Sequence, residues 1–362
     1  LLGVVGVLSV EDPASFPNLL AGSFTDGNSF STGNTLPLVG YPWGFNHWSP
    51  QTRENSRGVG SWWFRGSEHR FTWLRCTHQP SPWIGDWAWF LFGPQMGSNV
   101  NRNPTFFWEP RAATILPHIF DATLAPTNVR VELTPSMHGA MLRVTFPAKS
   151  ETKRICFTGQ GNQWEEQGMS DSKQFKNTGA NTPWEKKLSS VSGKPFIRGM
   201  ANQVHIERLI VANFRMHVRV ESDDAASLED AHDVRCFNYD NHATVVTVYL
   251  ATSMISEAQA VLNMNRELRY VTADHSESAV TPLMDHAYSV GQFDIVAKHA
   301  HNTWNDLMGR VEVVDPGPIT GSHSKQLVIF YTSLYRSLTF PRRTDEVTLQ
   351  GNVVHYSPYS PK

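Results

Sequence analysis

Between Phe71 and Asp86 the chain carries an arginine, a histidine, two tryptophans and an aspartate on a backbone punctuated by Pro80, Pro82 and Gly85. Proline fixes φ and glycine admits turns that other residues avoid, so such a stretch is a rigid loop that aims its side chains. Arg75 and Asp86 have the types and spacing of an ion pair that frames the loop. That leaves His78, which can exchange hydrogen bonds at neutral pH, and Trp83, which offers a flat apolar face, as the groups to be presented. The competing reading is a tight corner of a β-rich core with its tryptophans buried and its charges paired. A second polar and aromatic cluster, Gly40 to Arg53, precedes it. Earlier still, Gly27, Asn28, Ser29 and Phe30 open a Gly/Ser/Asn-rich stretch that ends at Pro37 and has the chemistry of an ordered loop. No Gly-Lys-Ser/Thr follows it, so it is not a phosphate loop.

Nine of the twelve tryptophans fall between Trp43 and Trp108. Indole rings stack on the apolar faces of sugars as well as filling cores, which makes a carbohydrate site a candidate, although core filling is the commoner use. With 40% hydrophobic and 18% charged residues in 362, the chain has the composition of a globular protein long enough for two domains. A net charge of −2 argues against a nucleic-acid binder. Cys76, Cys156 and Cys236 form no metal motif; their spacing favours three buried thiols, with a single bridge as the alternative. The apolar residues 1–10 read either as the end of a signal peptide's apolar region or as a buried first strand. Secretion, or an endomembrane or extracellular location, is therefore open, and no other run approaches the length of a membrane span.

Elements that could position these groups follow from periodicity. Val129–Leu133, Leu142–Phe146, Phe214–Val220 and Ala243–Leu250 alternate apolar with polar, the pattern of half-buried strands in an antiparallel sandwich. Residues 158 to 195 are polar and glycine-bearing and read as an insertion or edge excursion. The pattern changes near residue 250. A helix opens at Ser256-Glu257 and runs to about Leu268, with Ser253 and Ser256 as competing N-caps. Phe293, Val296, Ala297, Ala300, Trp304, Leu307, Met308 and Val311 make one apolar face of a helix from about Asp285 to Val311. Leu327, Phe330, Tyr331, Leu334, Tyr335 and Leu338 make another before Pro341. The expected division is a β-sandwich over 1–250, a helical linker over 251–281, and the start of a helical domain over 282–362.

Several ordered landmarks together resemble glycoside hydrolase family 92, the calcium-dependent exo-α-mannosidases, over nearly the whole chain. They are Gly27 to Pro37; Ser49-Pro50-Gln51-Thr52, with Gln51 where the family has an acid; Leu74 to Ser81 followed by Gly85-Asp86; Val131-Glu132-Leu133-Thr134; Ser256 to Ala260; and Phe330-Tyr331-Thr332-Ser333-Leu334-Tyr335-Arg336-Ser337 with Pro341. The resemblance implies a β-sandwich followed by an (α/α)6 barrel, with the active site between them. It also implies an inverting mechanism, in which a glutamic acid protonates the leaving oxygen and an aspartate activates water from a carboxyl-to-carboxyl distance of roughly 6.5–9.5 Å. Calcium would bind the mannose through vicinal hydroxyls. The family's acid, base and calcium positions are expected beyond Lys362, so no catalytic or metal-binding role falls on any residue of this chain.

What the resemblance does assign here is part of a pocket for mannose-containing glycans: Gly27, Asn28, Ser29 and Phe30 from the first loop, His78 and Trp83 from the second, and Asp345. His78 would hydrogen-bond a hydroxyl, Trp83 would stack on a ring, and Asp345 would accept two hydroxyl protons. Against each stands a plainer reading: a histidine satisfied within its loop, a core tryptophan, a surface turn, and a solvated charge pair among Arg342, Arg343 and Glu346. The alternative for the chain as a whole is a non-catalytic carbohydrate-binding or structural β-sandwich. A serine or cysteine hydrolase finds no supporting motif.

Overall fold

The runs that alternate in sequence become the centre of two packed sheets in the computed structural model, which describes residues 10–24, 33–52, 63–81, 86, 88–148, 151–158, 175–176, 185–188, 195–202, 205–206, 215–231, 234–271, 291–313 and 325–355. Val129–Pro135, Gly139–Thr145, Arg215–Glu221 and Val245–Ser253 lie in one eight-stranded sheet. Register places like with like: Leu142 faces Leu133 on one side and Val248 on the other, and Val144 faces Val131 and Val246. All six are fully buried. They meet Trp48, Phe90, Phe92, Phe157 and Phe237 of a seven-stranded sheet whose central strands are His47–Gln51, Trp73–Thr77, Phe90–Met96 and Lys153–Thr158. Trp48 contacts Phe90 and Phe92 edge-on, at 6.1 and 5.7 Å between centroids, a favoured aromatic geometry.

Part of each sheet's far face is covered too, so the central strands are more buried than the half-buried pattern of the sequence. Met141, Tyr249 and Ala251, on the outer face of the eight-stranded sheet, pack against Met264, Leu268, Phe293 and Val296 from the helices. On the outer face of the seven-stranded sheet Trp73, Trp89 and Leu91 cover Cys156 and Cys236. Those cysteines are direct cross-strand partners and form a disulfide. The reading of three free thiols is therefore corrected: only Cys76 is free, and it is buried. The sequence spacing of 80 carries no sign of this pairing, because the register that brings the two together exists only in the folded sheet.

After Ser253 the described chain is mainly helical and ends in a short hairpin, Asp345–Val347 paired with Val353–His355. Helix α1 (Glu257–Met264) continues into a π-helical turn, Asn265–Arg269. Ser256 is its N-cap, accepting from Gln259 N at 3.1 Å. Ser253 serves the turn before it, where its hydroxyl accepts from Ile255 and Ser256 N–H groups and donates to Glu346 at 2.7 Å. Helix α2 (Gln292–Met308) buries Phe293, Val296, Ala300, Trp304 and Met308, as its spacing predicts. It stops before Val311, which is 43% exposed, and its expected start at Asp285 lies outside the described residues. Gly291 caps it at φ 119°, a conformation that side chains resist. Helix α3 (Lys325–Leu338) buries Leu327, Tyr331 and Tyr335. Residues 1–9 are outside the described set, and of 158–195 the structure describes little beyond the edge strand Glu185–Leu188 and Phe175–Lys176, which pairs with His205–Ile206.

Candidate functional site

Sandwich and helices meet along a polar seam, and the segment Tyr41–His47 runs through it. Gly44 N–H closes a turn onto Tyr41 O at 2.7 Å, which holds Trp43 at a positive φ of 52°. A bulky residue occupies that region only when its surroundings hold it there. Trp43 N–H donates to Leu338 O at the end of α3, and Trp43 O accepts from Arg343 N at 2.9 Å, so both sides of one residue stitch the sandwich to the chain leaving α3.

Asn46 carries the seam inward. Its amide nitrogen donates to Thr252 Oγ1 at 2.8 Å and to His138 O at 3.3 Å, which fixes the amide orientation. Asn46 Oδ1 therefore faces His78 Nε2 at 2.9 Å, and the imidazole donates. His78 is 2% exposed, and its backbone N–H donates to Asp86 Oδ1 at 2.8 Å. Phe45 separates the rings of His78 and His138, at 6.3 and 5.3 Å between centroids.

His138 sits where only an imidazolium satisfies its neighbours. Nδ1 meets Glu267 Oε1 at 2.5 Å, and Nε2 meets the carbonyl of Asp345 at 3.0 Å. A carbonyl can only accept, so Nε2 donates; a carboxylate only accepts, so Nδ1 donates too. Burial opposes the charge, but Glu267 outweighs it and the pKa of His138 rises to about 9. Glu267 also accepts from Ser136 Oγ and His138 N–H, both at 2.8 Å. Burial raises the Glu267 carboxyl, yet the His138 charge and these donors bring it below its ordinary value. The π-helical turn is what points Glu267 at the 136–138 turn, and such turns recur where a side chain must be re-aimed. Behind it Glu346, 1% exposed, accepts from Ser253, Met254 N–H and Asn263. Its carboxyl is pushed up by burial, against the pull of those donors.

The loop predicted as a frame is one. Arg75 and Asp86 are paired at 3.0 Å with side chains wholly buried. The guanidinium lies over the rings of Trp89 and Trp63, 4.0 and 4.9 Å from their centroids, and donates to Gln51 Oε1 at 3.2 Å. Asp86 also accepts from Thr77 Oγ1 at 2.6 Å.

Of the residues assigned from sequence, the structure brings two to the seam. His78 lies in its floor, and Asp345 stands at its rim. The Asp345 carboxylate is held by Arg343 at 2.6 and 3.0 Å, and that arginine lowers its pKa. Gly27, Asn28, Ser29, Phe30 and Trp83 lie outside the described residues. The stem of the first loop is nevertheless visible: Thr35 N–H donates to Gly22 O at 3.3 Å, and Arg336 of α3 donates to Ala21 O. Tyr335 likewise donates to Leu38 O. Sequence reasoning missed Asn46, His138, Glu267 and Glu346. Asn46 stood in a cluster already noticed, whereas His138 and Glu267 are 129 residues apart and carry no shared motif.

Chemically, the two seam carboxylates, Glu267 and Glu346, are each engaged by several donors. Among the described residues there is no group of three or more His, Cys, Asp or Glu that could hold a metal ion.

Comparison with known proteins identifies the company this architecture keeps. The glycosyl hydrolase family 92 N-terminal domain matches residues 18–253, and the family's catalytic domain matches residues 259–362. Among solved structures, the family GH92 inverting mannosidase of Bacteroides thetaiotaomicron VPI-5482 is 25% identical with a TM-score of 0.72, over 98% of this chain and 43% of that one. A family GH92 alpha-mannosidase from the same species superposes at 0.61 and 16% identity, over 96% of this chain and 44% of that one. A further GH92 glycosyl hydrolase superposes at 0.67 with 16% identity, again over 96% and 44%. The chain thus spans less than half the length of these proteins. No curated relative matches the sequence.

Proposed function

The chain belongs to glycosyl hydrolase family 92, and from that premise we propose that the complete protein is an inverting exo-α-mannosidase acting on mannose-containing glycans, to which these residues contribute the sandwich and part of the sugar pocket. The observation that carries the reading is the match to both family domains in order, together with the 0.72 superposition on an inverting mannosidase. In this reading His78, Asp345, Trp83 and the loop of Gly27, Asn28, Ser29 and Phe30 line the pocket. Calcium, the family's ion, is proposed for the complete protein, with ligands outside the described residues. The acid and base are likewise proposed to lie elsewhere, since Glu267 and Glu346 are occupied structurally. No helix among the described residues is long and apolar enough to cross a membrane. A secretory or extracellular setting is proposed, and the Cys156–Cys236 disulfide supports it, because such bonds persist in oxidising compartments.

The test is to follow hydrolysis of an α-mannoside by the full-length protein with NMR of the first-formed sugar. β-Mannose is expected; α-mannose, or no release, overturns the proposal. H78A and W83A in that protein are expected to weaken turnover, and unchanged activity would remove those residues from the pocket. A second reading, a non-catalytic sugar-binding or structural role for this portion alone, is favoured by the engagement of both seam carboxylates; mannoside turnover by residues 1–362 alone would defeat it.

A further inference from the structure

His47 begins its strand directly opposite Thr77, is 1% exposed, and has no hydrogen-bond partner for either ring nitrogen among the described residues. Buried polar groups are almost always partnered, so two open nitrogens on one ring call for an explanation. The polar groups nearest in the strand pair are committed to one another. Thr77 Oγ1 is engaged with Asp86 and with Gln79 N–H. His78 Nε2 is engaged with Asn46. On the other side His47 pairs with Gly40, where an added Cβ would stand 2.5 Å from ring atom Cδ2, so the ring packs against a position without a side chain.

A second open group belongs to the same end of the same strand pair. Gln79, two residues beyond Thr77 and fully buried, accepts from Trp63 Nε1 at 2.7 Å through Oε1. That contact fixes the amide, and its Nε2 has no partner among the described residues.

We propose that His47 and Gln79 are sugar-binding residues of the pocket: His47 donates to one hydroxyl and accepts from another, and Gln79 Nε2 donates to a hydroxyl oxygen. The donor set selects the chemistry. Burial, reinforced by the positive charge of Arg342 and by His78, holds the pKa of His47 well below the ordinary histidine value, so the ring is neutral, with one donor and one acceptor. A carboxylate or phosphate only accepts and would leave one nitrogen unmet, whereas a hydroxyl both gives and takes. A buried water has the same two capacities, and the experiment separates the two sources. The inference rests on the α-mannosidase reading above and names two of that pocket's residues.

The experiment is calorimetric titration of the full-length protein with methyl α-mannoside, alongside thermal melting. H47F and Q79L are each expected to bind at least about tenfold more weakly, the change that roughly 1.4 kcal/mol produces. H47Q, which keeps a donor and an acceptor, is expected to stay within about threefold of wild type, a loss of roughly 0.65 kcal/mol on the same scale. Wild-type affinity in H47F, with or without a rise in melting temperature, overturns the proposal and assigns the site to water. Should H47F not fold, wild-type affinity in Q79L overturns it equally. If the wild-type protein binds and hydrolyses no α-mannoside, the family-based reading fails first and this inference with it; if it does both and the variants do not differ, only this inference fails.

Discussion

Two buried ion pairs hold this molecule at two scales, and they are built from different chemistry. Arg75 and Asp86 are 11 residues apart and close one loop, with no side-chain exposure on either partner. His138 and Glu267 are 129 residues apart and tie the sheet turn at 136–138 to the turn after α1, with 10% and 21% of their side chains exposed. The first uses a cation that cannot lose its proton, stacked between two indoles. The second uses one that can. A local frame is thus permanent, while the joint between sheet and helices is conditional on pH.

The contrast is broken most severely at the first pair. R75M keeps bulk between Trp63 and Trp89 but strands the Asp86 carboxylate, and losing one partner of a buried pair costs about 3–5 kcal/mol. Urea unfolding of the full-length protein should show that loss, and a loss under about 1 kcal/mol would mean the pair is not buried in solution. E267Q at the second pair is expected to cost less, about 1–3 kcal/mol, since the amide still accepts from Ser136 and the turn is partly open to water.

Titration sharpens the same contrast. The folded pKa of His138 is raised to about 9 from an ordinary 6.5, so its contribution is fully present below about pH 6.5 and is lost as pH rises through 9. Glu267, held below its ordinary value, contributes above that value and loses its contribution as pH falls through the depressed folded pKa. Stability measured from pH 6 to 10 should therefore decline between about pH 6.5 and 9 by about 1–2 kcal/mol, after allowance for partial exposure. In E267Q that decline should flatten, whereas in D86N it should persist. A slope equal in wild type and E267Q would detach it from His138.

The same contrast explains what was legible in the sequence. Period-two alternation found the strands because each inner face repeats Val or Leu at every second position, as at Val129, Val131 and Leu133. Arg75 and Asp86 were readable because prolines and glycine between them announce a closed loop. Gln51, where the resemblance expects an acid, accepts from Arg75, a contact that no reading of either alone reveals. Tyr335 and Arg336, landmarks of the α3 motif, earn that status by bonding Leu38 and the stem of the first loop. Asn46, His138, Glu267 and the disulfide were not legible, because each depends on register or on a turn that re-aims a side chain across more than 30 residues. His78 and Asp345 are joined through Asn46 and His138, a network that neither residue's sequence context announces.

Asp345 offers the smallest expected effect on stability and the cleanest reading of role. Its carboxylate pairs with Arg343, whose side chain is 56% exposed, so the pair is worth about 0–1 kcal/mol. The link to His138 runs through the Asp345 carbonyl, which a side-chain change leaves in place. D345N should therefore leave urea unfolding of the full-length protein almost unmoved. If the carboxylate takes sugar hydroxyls in exchange for Arg343, kcat/KM on an α-mannoside should fall at least about tenfold, a loss of roughly 1.4 kcal/mol in transition-state stabilisation. If kcat/KM holds, Asp345 is a solvated charge pair, and the rim of the seam acts through its backbone alone.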